Sequence, residues 1–477
     1  MKFTSEQEKI LYCDDNEIYV NAKAGTGKTT TLIEFTKKRP AEIFLYLVYN
    51  RKNKIEAERK FIQGNVEVQT IHSLAFKHIG NKYKDKLGGN IKVFDVIKNV
   101  SSLKRKYEQN KANPEIFVEA SKVIDCLEYY FNKDILDIEE SAGIFSDETI
   151  DYAYEYFEQM CDVDNKNVKM THNGYLKLFQ LKMPQLNYDY ILVDEAQDSN
   201  EIMLSIVNQS PAKKVFVGDN YQSIYGFRHN VNVFDLKSES ATELYLTKSF
   251  RFGNNIAFYA NKLNEIFREN FIPIQGNEKI TDFVFDAPER NFTERQYTVL
   301  TRTNAHLFDL AARYSLLGKK IFIVGEQEVF QELIDAMYLY KGELHKIKNP
   351  TILEYKNFER MKQIAQTAND PELKFLVKVV EQYEDTIPDI IARIKNQTTK
   401  EIYADFVLST AHKSKGLEWY NVVLATDFPD LINKKGEVKS LEEIDIEEIN
   451  LLYVAITRAM ERLYLNEVVG NFFNKVL

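Results

Sequence analysis

Ala22-Lys-Ala-Gly-Thr-Gly-Lys-Thr29 decides how this 477-residue chain is read; it lies between the apolar run Ile18-Tyr-Val20 and a helix-like segment, Thr30 to Lys38. Small residues let a backbone curl so that successive N–H groups point inward at an anion. The N-terminus of the following helix adds a partial positive charge. In that setting Ala24, Gly25, Thr26 and Gly27 cradle phosphate, Lys28 reaches the outer phosphates, and the Thr29 hydroxyl can ligate magnesium. Thr30 opens the helix. Ala22 stands where the usual pattern begins with glycine. The plainer alternative is a Gly/Thr turn before a surface helix, and a second motif downstream argues against it.

That second motif is Tyr190-Ile-Leu-Val-Asp-Glu-Ala-Gln-Asp198. An apolar run bounded by acids reads as a buried parallel strand. Its carboxylates emerge at the carboxyl end, where open α/β sheets bind ligands. Asp194 is expected to hold magnesium, directly or through water. Glu195 is expected to orient or deprotonate an attacking water. Together the two motifs predict nucleotide hydrolysis.

The length allows two to four domains, and 44% hydrophobic with 28% charged residues is ordinary globular composition. No run of 18 apolar residues occurs, so no membrane span is expected. The polar opening Met-Lys-Phe-Thr-Ser-Glu-Gln-Glu-Lys does not read as a signal peptide. Cys13, Cys126 and Cys161 are far apart and form no CxxC pair, which argues against a disulfide framework, a zinc finger or an iron–sulfur cluster. A cytoplasmic or nuclear compartment fits. The net charge of −9 is unevenly spread. Asn50 to Lys111 holds 15 Lys/Arg against 6 Asp/Glu, whereas Pro114 to Asp164 holds 2 against 15. The first block can track phosphates; the acidic segment 114–164 can repel them or receive a protein partner.

Short β-like runs at Ile43–Tyr49, Val215–Val217, Tyr297–Leu300, Ile321–Val324 and Asn421–Ala425 alternate with helical patterns. With the two motifs they predict an α/β protein with two parallel-sheet cores. The first core is expected at 1–73 and 185–250, split by a helical insertion at 74–184. The second is expected at 251–477, with a small helical insertion at 326–399.

Further constellations lie downstream. Val215-Phe-Val-Gly-Asp219 leads to Gln222-Ser-Ile-Tyr-Gly-Phe-Arg228, in which Gln222 can bond a γ-phosphate while Tyr225 and Phe227 offer faces for base stacking. Tyr245-Leu-Thr-Lys-Ser-Phe-Arg-Phe252 places Arg251 for a phosphate contact. Ser409-Thr-Ala-His-Lys-Ser-Lys-Gly-Leu-Glu-Trp419 and Leu451-Leu-Tyr-Val-Ala-Ile-Thr-Arg-Ala459 complete the series.

In this order the motifs resemble the UvrD/Rep-type superfamily 1 DNA helicases over essentially the whole chain, and in particular the helicase core of the F-box DNA helicases. The resemblance implies two RecA-like domains, with ATP and Mg2+ between them. It implies single-stranded DNA and tailed duplex DNA as partners, and 3′→5′ translocation coupled to unwinding in repair or recombination. Gln7 matches the adenine-reading segment, with Phe250 and Glu418 further nucleotide-site residues. Lys28, Glu195, Gln222, Arg251 and Arg458 match the catalytic set. Asn50, Thr70, His72, Ser73, Tyr225, Phe227, Arg302, Thr410 and His412 correspond to DNA-contacting positions. Three departures stand out. No extension precedes Gln7 to suggest an F-box. Only about 158 residues separate Arg251 from Thr410, little room for a large mobile 2B domain. The chain ends 19 residues after Arg458, so no fused nuclease is expected. An alternative within the resemblance is a motor that strips proteins from DNA, or a subunit beside a separate nuclease in repair or phage defence.

Overall fold

β1 (Glu17–Ala22) is buried along all but its first residue, which only a strand flanked by others on both sides requires. It pairs in parallel with β5 and β6 of a six-stranded sheet. The computed structural model describes residues 2–111, 113, 115–183, 185–226, 231–286, 295–325, 328–367 and 370–477. The chain forms two units. One comprises Met1–Ala22, Lys28–Asn220 and Tyr225–Leu246; the other comprises Lys23–Gly27, Tyr221–Ile224 and Thr247–Leu477.

The first unit's other strands are β2 (Phe44–Leu47), β3 (Val66–Gln69), β4 (Tyr190–Asp194), β5 (Lys213–Gly218) and β6 (Thr242–Leu246). Their order is β3-β2-β4-β5-β1-β6, every pair parallel. The register sets Asn21 beside Gly218, Val217 beside Asp194, and Val193, Leu47 and Gln69 in one row. All these strands therefore end along one edge. Helices α1 (Ser5–Tyr12), α2 (Lys28–Lys37) and α3 (Arg51–Lys60) alternate with the early strands. Between β3 and β4 the chain inserts α4 (Ile71–His78), α5 (Val93–Asn99), α6 (Ser101–Gln109), α7 (Glu115–Asn132), α8 (Asp147–Cys161) and α9 (His172–Leu181). α7 buries Ile116, Phe117, Ala120, Val123, Leu127, Tyr130 and Phe131 on one stripe at helical spacing. Ser146 caps α8, with Asp147 and Glu148 in its first turn. α10 (Glu201–Asn208) follows β4.

The second unit repeats the architecture. Its strands are β7 (Phe283–Asp286), β8 (Tyr297–Thr301), β9 (Ile321–Ile323), β10 (Phe406–Thr410), β11 (Trp419–Leu424) and β12 (Ala459–Leu465), in the parallel order β7-β12-β11-β8-β10-β9. α11 (Asn254–Phe267) and α12 (Asn304–Leu316) belong to this core. α13 (Glu328–Tyr340), α14 (Pro350–Glu354), α15 (Phe358–Thr367), α16 (Pro371–Tyr383) and α17 (Ile387–Gln397) are inserted between β9 and β10. α18 (Ile446–Ile456) and α19 (Glu467–Val476) close the chain. Two parallel sheets with interleaved helices make this an α/β protein.

Candidate active site

In the first unit, β4 delivers Asp194 to the carboxyl edge and the chain then turns sharply. Glu195 adopts φ 52° and ψ 43°, the left-handed region, at a cost for a non-glycine residue of about 1–3 kcal/mol. Its own N–H donates to Asp194 Oδ1 at 3.0 Å, and its carbonyl accepts from the Asp198 N–H at 2.9 Å. Lys28, the first residue of α2, brings its ammonium to 3.5 Å from Glu195 Oε2. Gln197 Nε2 donates to the same oxygen at 2.7 Å, while its Oε1 accepts from the Asp219 N–H at 3.0 Å. That carboxamide, fully buried, is thus fixed at both ends. It passes so close to Gly218 that a Cβ there would sit 2.2 Å from Oε1, so the end of β5 requires glycine.

Asp194 is held from the other side by Tyr46 of β2, whose hydroxyl donates to Oδ2 at 2.5 Å. Thr29 hydrogen-bonds the same tyrosine hydroxyl. Burial pushes the Asp194 carboxyl up to about 6, and the Glu195 charge adds to this; Lys28 and the Tyr46 bond oppose it. Burial first, and then the Asp194 charge, drive the Tyr46 phenol well above its usual range. The pair Thr29 and Asp194, joined through Tyr46, is a set of hard oxygen donors. It fits a magnesium ion that takes one or two protein oxygens and completes its octahedron with phosphate and water. Among the described residues there is no cluster of three or more His, Cys, Asp or Glu able to hold a metal alone.

Gln7 is buried. It closes a capping box with Thr4 on α1 and donates from Nε2 to Thr31 Oγ1 of α2 at 3.0 Å. Along the same carboxyl edge lie several expected nucleic-acid positions. Asn50 caps α3. Thr70 and Ser73 cap α4 reciprocally, at 2.9 and 3.0 Å. His72 Nε2 meets Asn173 Oδ1 at 3.2 Å. Tyr225 stacks on Tyr49, with ring centroids 5.5 Å apart and planes 12° apart. Phe227 lies outside the described residues.

In the second unit the loop Lys23–Gly27 is pinned by its surroundings. Gly25 and Gly27 have φ of +73° and +76°. The Gly25 carbonyl accepts from the Phe250 N–H at 2.7 Å, and a Cβ at Gly25 would lie 2.6 Å from Arg251 Cβ. Thr26 Oγ1 donates to the Lys23 carbonyl at 2.8 Å; Ala24 and Thr26 are buried. Lys23 sits over the Tyr221 ring at 3.3 Å. Arg251 Nε donates to Glu418 Oε2 at 2.6 Å and its Nη1 to the Thr457 carbonyl at 3.0 Å. Arg458, almost wholly buried, donates to the Val454 and Leu417 carbonyls and to Gln222 Oε1 at 3.2 Å. The Gln222 carbonyl accepts from Lys415 Nζ at 2.6 Å. Gln222, Arg251, Glu418 and Arg458 therefore gather around the starts of β11 and β12, with Arg251 against the loop that carries Gly25. Thr410 accepts from the Lys413 N–H, and His412 follows it at the end of β10. Arg302 stands apart from this group. Its guanidinium grips Glu448 through Nε at 2.9 Å and Nη2 at 2.5 Å, a pairing that raises its pKa further.

Sequence reasoning missed Tyr46 and the clamping role of Gln197. Gln197 stands two residues from Glu195, inside the motif itself. Tyr46 carries no local signal: only the pairing of β2 with β4 brings it near Asp194, 148 positions on.

A glycine-bearing loop after β1, Lys28 and Thr29 at a helix start, and paired acids at the end of β4, two strands away in the same sheet, define a P-loop nucleotide-binding protein. Residues 3–240 match the family model of the UvrD/REP helicase N-terminal domain, and the chain belongs to the UvrD/REP-type helicases. It is 31% identical to F-box DNA helicase 1 of Gallus gallus over 98% of this chain and 49% of that protein. It is 29% identical to F-box DNA helicase protein 1 of Schizosaccharomyces pombe over 98% of this chain and 58% of that protein. A probable DNA helicase II homolog of Mycoplasma pneumoniae is 22% identical over 98% of this chain and 84% of its own length. The chain thus spans about half the length of the two F-box relatives. Among the described residues no helix is long and apolar enough to cross a membrane.

Proposed function

We propose that this chain is an ATP-dependent, Mg2+-requiring DNA helicase that translocates 3′→5′ along single-stranded DNA and opens tailed duplexes during repair or recombination. One observation carries the reading: the strained Glu195, clamped by Lys28 and Gln197, shares a sheet edge with Asn50, Thr70, His72 and Ser73. Chemistry and strand contact would then act through one rigid element.

In this reading the Lys28 ammonium transfers from Glu195 to the β- and γ-phosphates, freeing the carboxylate to take a proton from water. A positioned base of this kind contributes about 10²–10⁴-fold. Bound magnesium would supply neutralisation of phosphate charge, held by Thr29 and Asp194. Arg251, backing the phosphate loop at Gly25, would neutralise charge that develops on the transferred group. Arg458 would do the same while reporting through its bond to Gln222. Arginines in such roles contribute about 10³–10⁵-fold. Tyr225 on Tyr49 would supply a stacking face, worth about 1–3 kcal/mol per base. We assign Arg302 to holding Glu448, with DNA contact only if that pair opens.

The test is ATP hydrolysis with and without single-stranded DNA, with Glu195→Gln as control, followed by unwinding of 3′- and 5′-tailed duplexes. Stimulation by DNA, loss of turnover in the variant and a requirement for a 3′ tail support the reading. Turnover indifferent to DNA, or unwinding from 5′ tails, overturns it.

A further inference from the structure

The helical insertion of the first unit contains a continuous chain of side-chain hydrogen bonds that the reaction chemistry does not use. It starts at His72, whose Nε2 meets Asn173 Oδ1 at 3.2 Å. Asn173 Nδ2 donates to Glu128 Oε2 at 3.1 Å. Asn132, one turn further along α7, donates from Nδ2 to the Glu128 carbonyl at 2.7 Å and to Oε2 at 3.4 Å. The Asn132 Oδ1 accepts from Asn200 Nδ2 at 2.6 Å. Asn200 is the N-cap of α10, its Oδ1 taking the Met203 N–H at 3.1 Å, and it lies five residues after Glu195. Asn132 and Asn200 are only 5% and 9% exposed, so water cannot readily replace these partners.

Direction is built into the chain. An amide oxygen only accepts and an amide nitrogen only donates. Two carboxamides converge on Glu128 Oε2, which fixes Asn173 with its oxygen toward His72. His72 must then carry its proton on Nε2. At the far end, the turn Ala196–Asp198 joins Asn200 to the strained Glu195 through the bonds Asp198 N–H to Glu195 carbonyl and Ser199 N–H to Ala196 carbonyl, at 2.9 and 3.1 Å. A second tie runs in parallel, since the Asp134 N–H donates to Glu201 at 3.3 Å and Lys133 pairs with the same carboxylate.

We infer that Glu128, Asn132 and Asn173 are positioning residues that tie the nucleic-acid face at His72 to the start of α10, and through it to Glu195, so that DNA occupancy sets the rate of ATP hydrolysis. This rests on the DNA-stimulated ATPase proposed above. None of the three is among the residues proposed above to meet nucleotide or DNA. Their effect passes through backbone geometry, and the left-handed Glu195 is the element that registers it.

The test uses the full chain and three variants: Glu128→Leu, which keeps volume but cannot accept; Glu128→Gln, which keeps an acceptor; and Asn132→Ala, which breaks the chain elsewhere. Thermal unfolding checks each for folding, and Asn132→Ala carries the test if Glu128→Leu does not fold. Expected are DNA-free turnover and the ATP KM within about twofold of wild type, with stimulation by an oligothymidine strand reduced at least fivefold in Glu128→Leu and Asn132→Ala and largely restored in Glu128→Gln. His72→Ala and Asn132→Ala should be non-additive in stimulation. Full stimulation in Glu128→Leu or Asn132→Ala overturns the inference. If the wild type itself is not stimulated by DNA, the functional reading fails, and the relay is judged by 15N shifts of the His72 ring, identified by its loss in His72→Gln. An Nε2–H tautomer that becomes mixed in Glu128→Leu supports the relay; identical shifts in both proteins reject it.

Discussion

The two helical insertions solve the same problem with opposite chemistry. α4–α9 is fastened inside the first unit by polar groups, many of them buried. Asn132 meets Asn200, Lys133 meets Glu201, and Gln180 reaches Ser205 at 3.4 Å. Two buried lysines serve as internal clamps: Lys177 donates to the carbonyls of Lys133 and Ile135, and Lys86 to those of Gln159, Met160 and Asp162. The cations complement carbonyls just past α7 and at the end of α8. α13–α17 is fastened mainly by apolar surface, with the Tyr383 hydroxyl also donating to Asp309 of α12 at 2.8 Å. α17 turns Ile387, Ile390, Ile391 and Ile394 inward at spacings of 3, 1 and 3, and Phe308 of α12 packs on Phe330 and Tyr383 at 6.4 and 5.6 Å. Apolar burial is strong and nearly directionless, so it tolerates repacking. Buried hydrogen bonds add little net stability but penalise every other alignment. The first insertion is therefore built to hold a register and the second to hold together.

That contrast can be broken by experiment. The largest stability loss is expected for Ile391→Ala, about 2–5 kcal/mol from transfer and cavity terms, measured by denaturant unfolding. DNA stimulation should survive in whatever fraction remains folded. Its loss at full folding would mean that the second insertion also positions. Asn132→Ala should cost less, about 1–3 kcal/mol, because it strands the Asn200 amide, yet it should be the more damaging to coupling. Equal coupling in both variants would erase the distinction. Lys177→Met sharpens the comparison through pH. Burial lowers the Lys177 pKa to about 8, whereas in the unfolded chain it stays near 10.5. Between those values the unfolded state binds more protons, so wild-type stability should rise relative to Lys177→Met as pH goes from 8 to 10. A difference that is flat across this window would show the ammonium to be well solvated. The smallest effect is expected at the exposed pair Lys362–Glu381 of α15 and α16, where Lys362→Ala should change stability by under about 1 kcal/mol.

The α/β alternation and its two parallel sheets were legible from the sequence because their signals are local. β1, β2, β4, β5, β8, β9 and β11 announce themselves as apolar runs beside turns. β3 (Val-Glu-Val-Gln), β6 (Thr-Glu-Leu-Tyr-Leu) and β7 (Phe-Val-Phe-Asp) did not. They lie at sheet edges and mix polar with apolar residues, so their pattern is too short to separate from loop. β10 and β12 were absorbed into adjoining motifs. The residues to which we assign the chemistry, Lys28, Thr29, Asp194, Glu195, Gln222, Arg251 and Arg458, stand out in the sequence because phosphate chemistry restricts which residues can follow one another.

What the sequence determined alone is the inventory: a phosphate loop, a pair of acids, a set of arginines and the α/β alternation that carries them, each specified within a few consecutive residues. Only tertiary structure decided how they are held. Tyr46 reaches Asp194 across 148 positions, Gln197 reaches the end of β5, and His72 reaches Asn173 across 101. The reason is physical. Periodicity and turn chemistry act over neighbours along the chain, whereas a hydrogen bond between buried side chains exists only after strand register and helix packing have brought its partners within bonding distance.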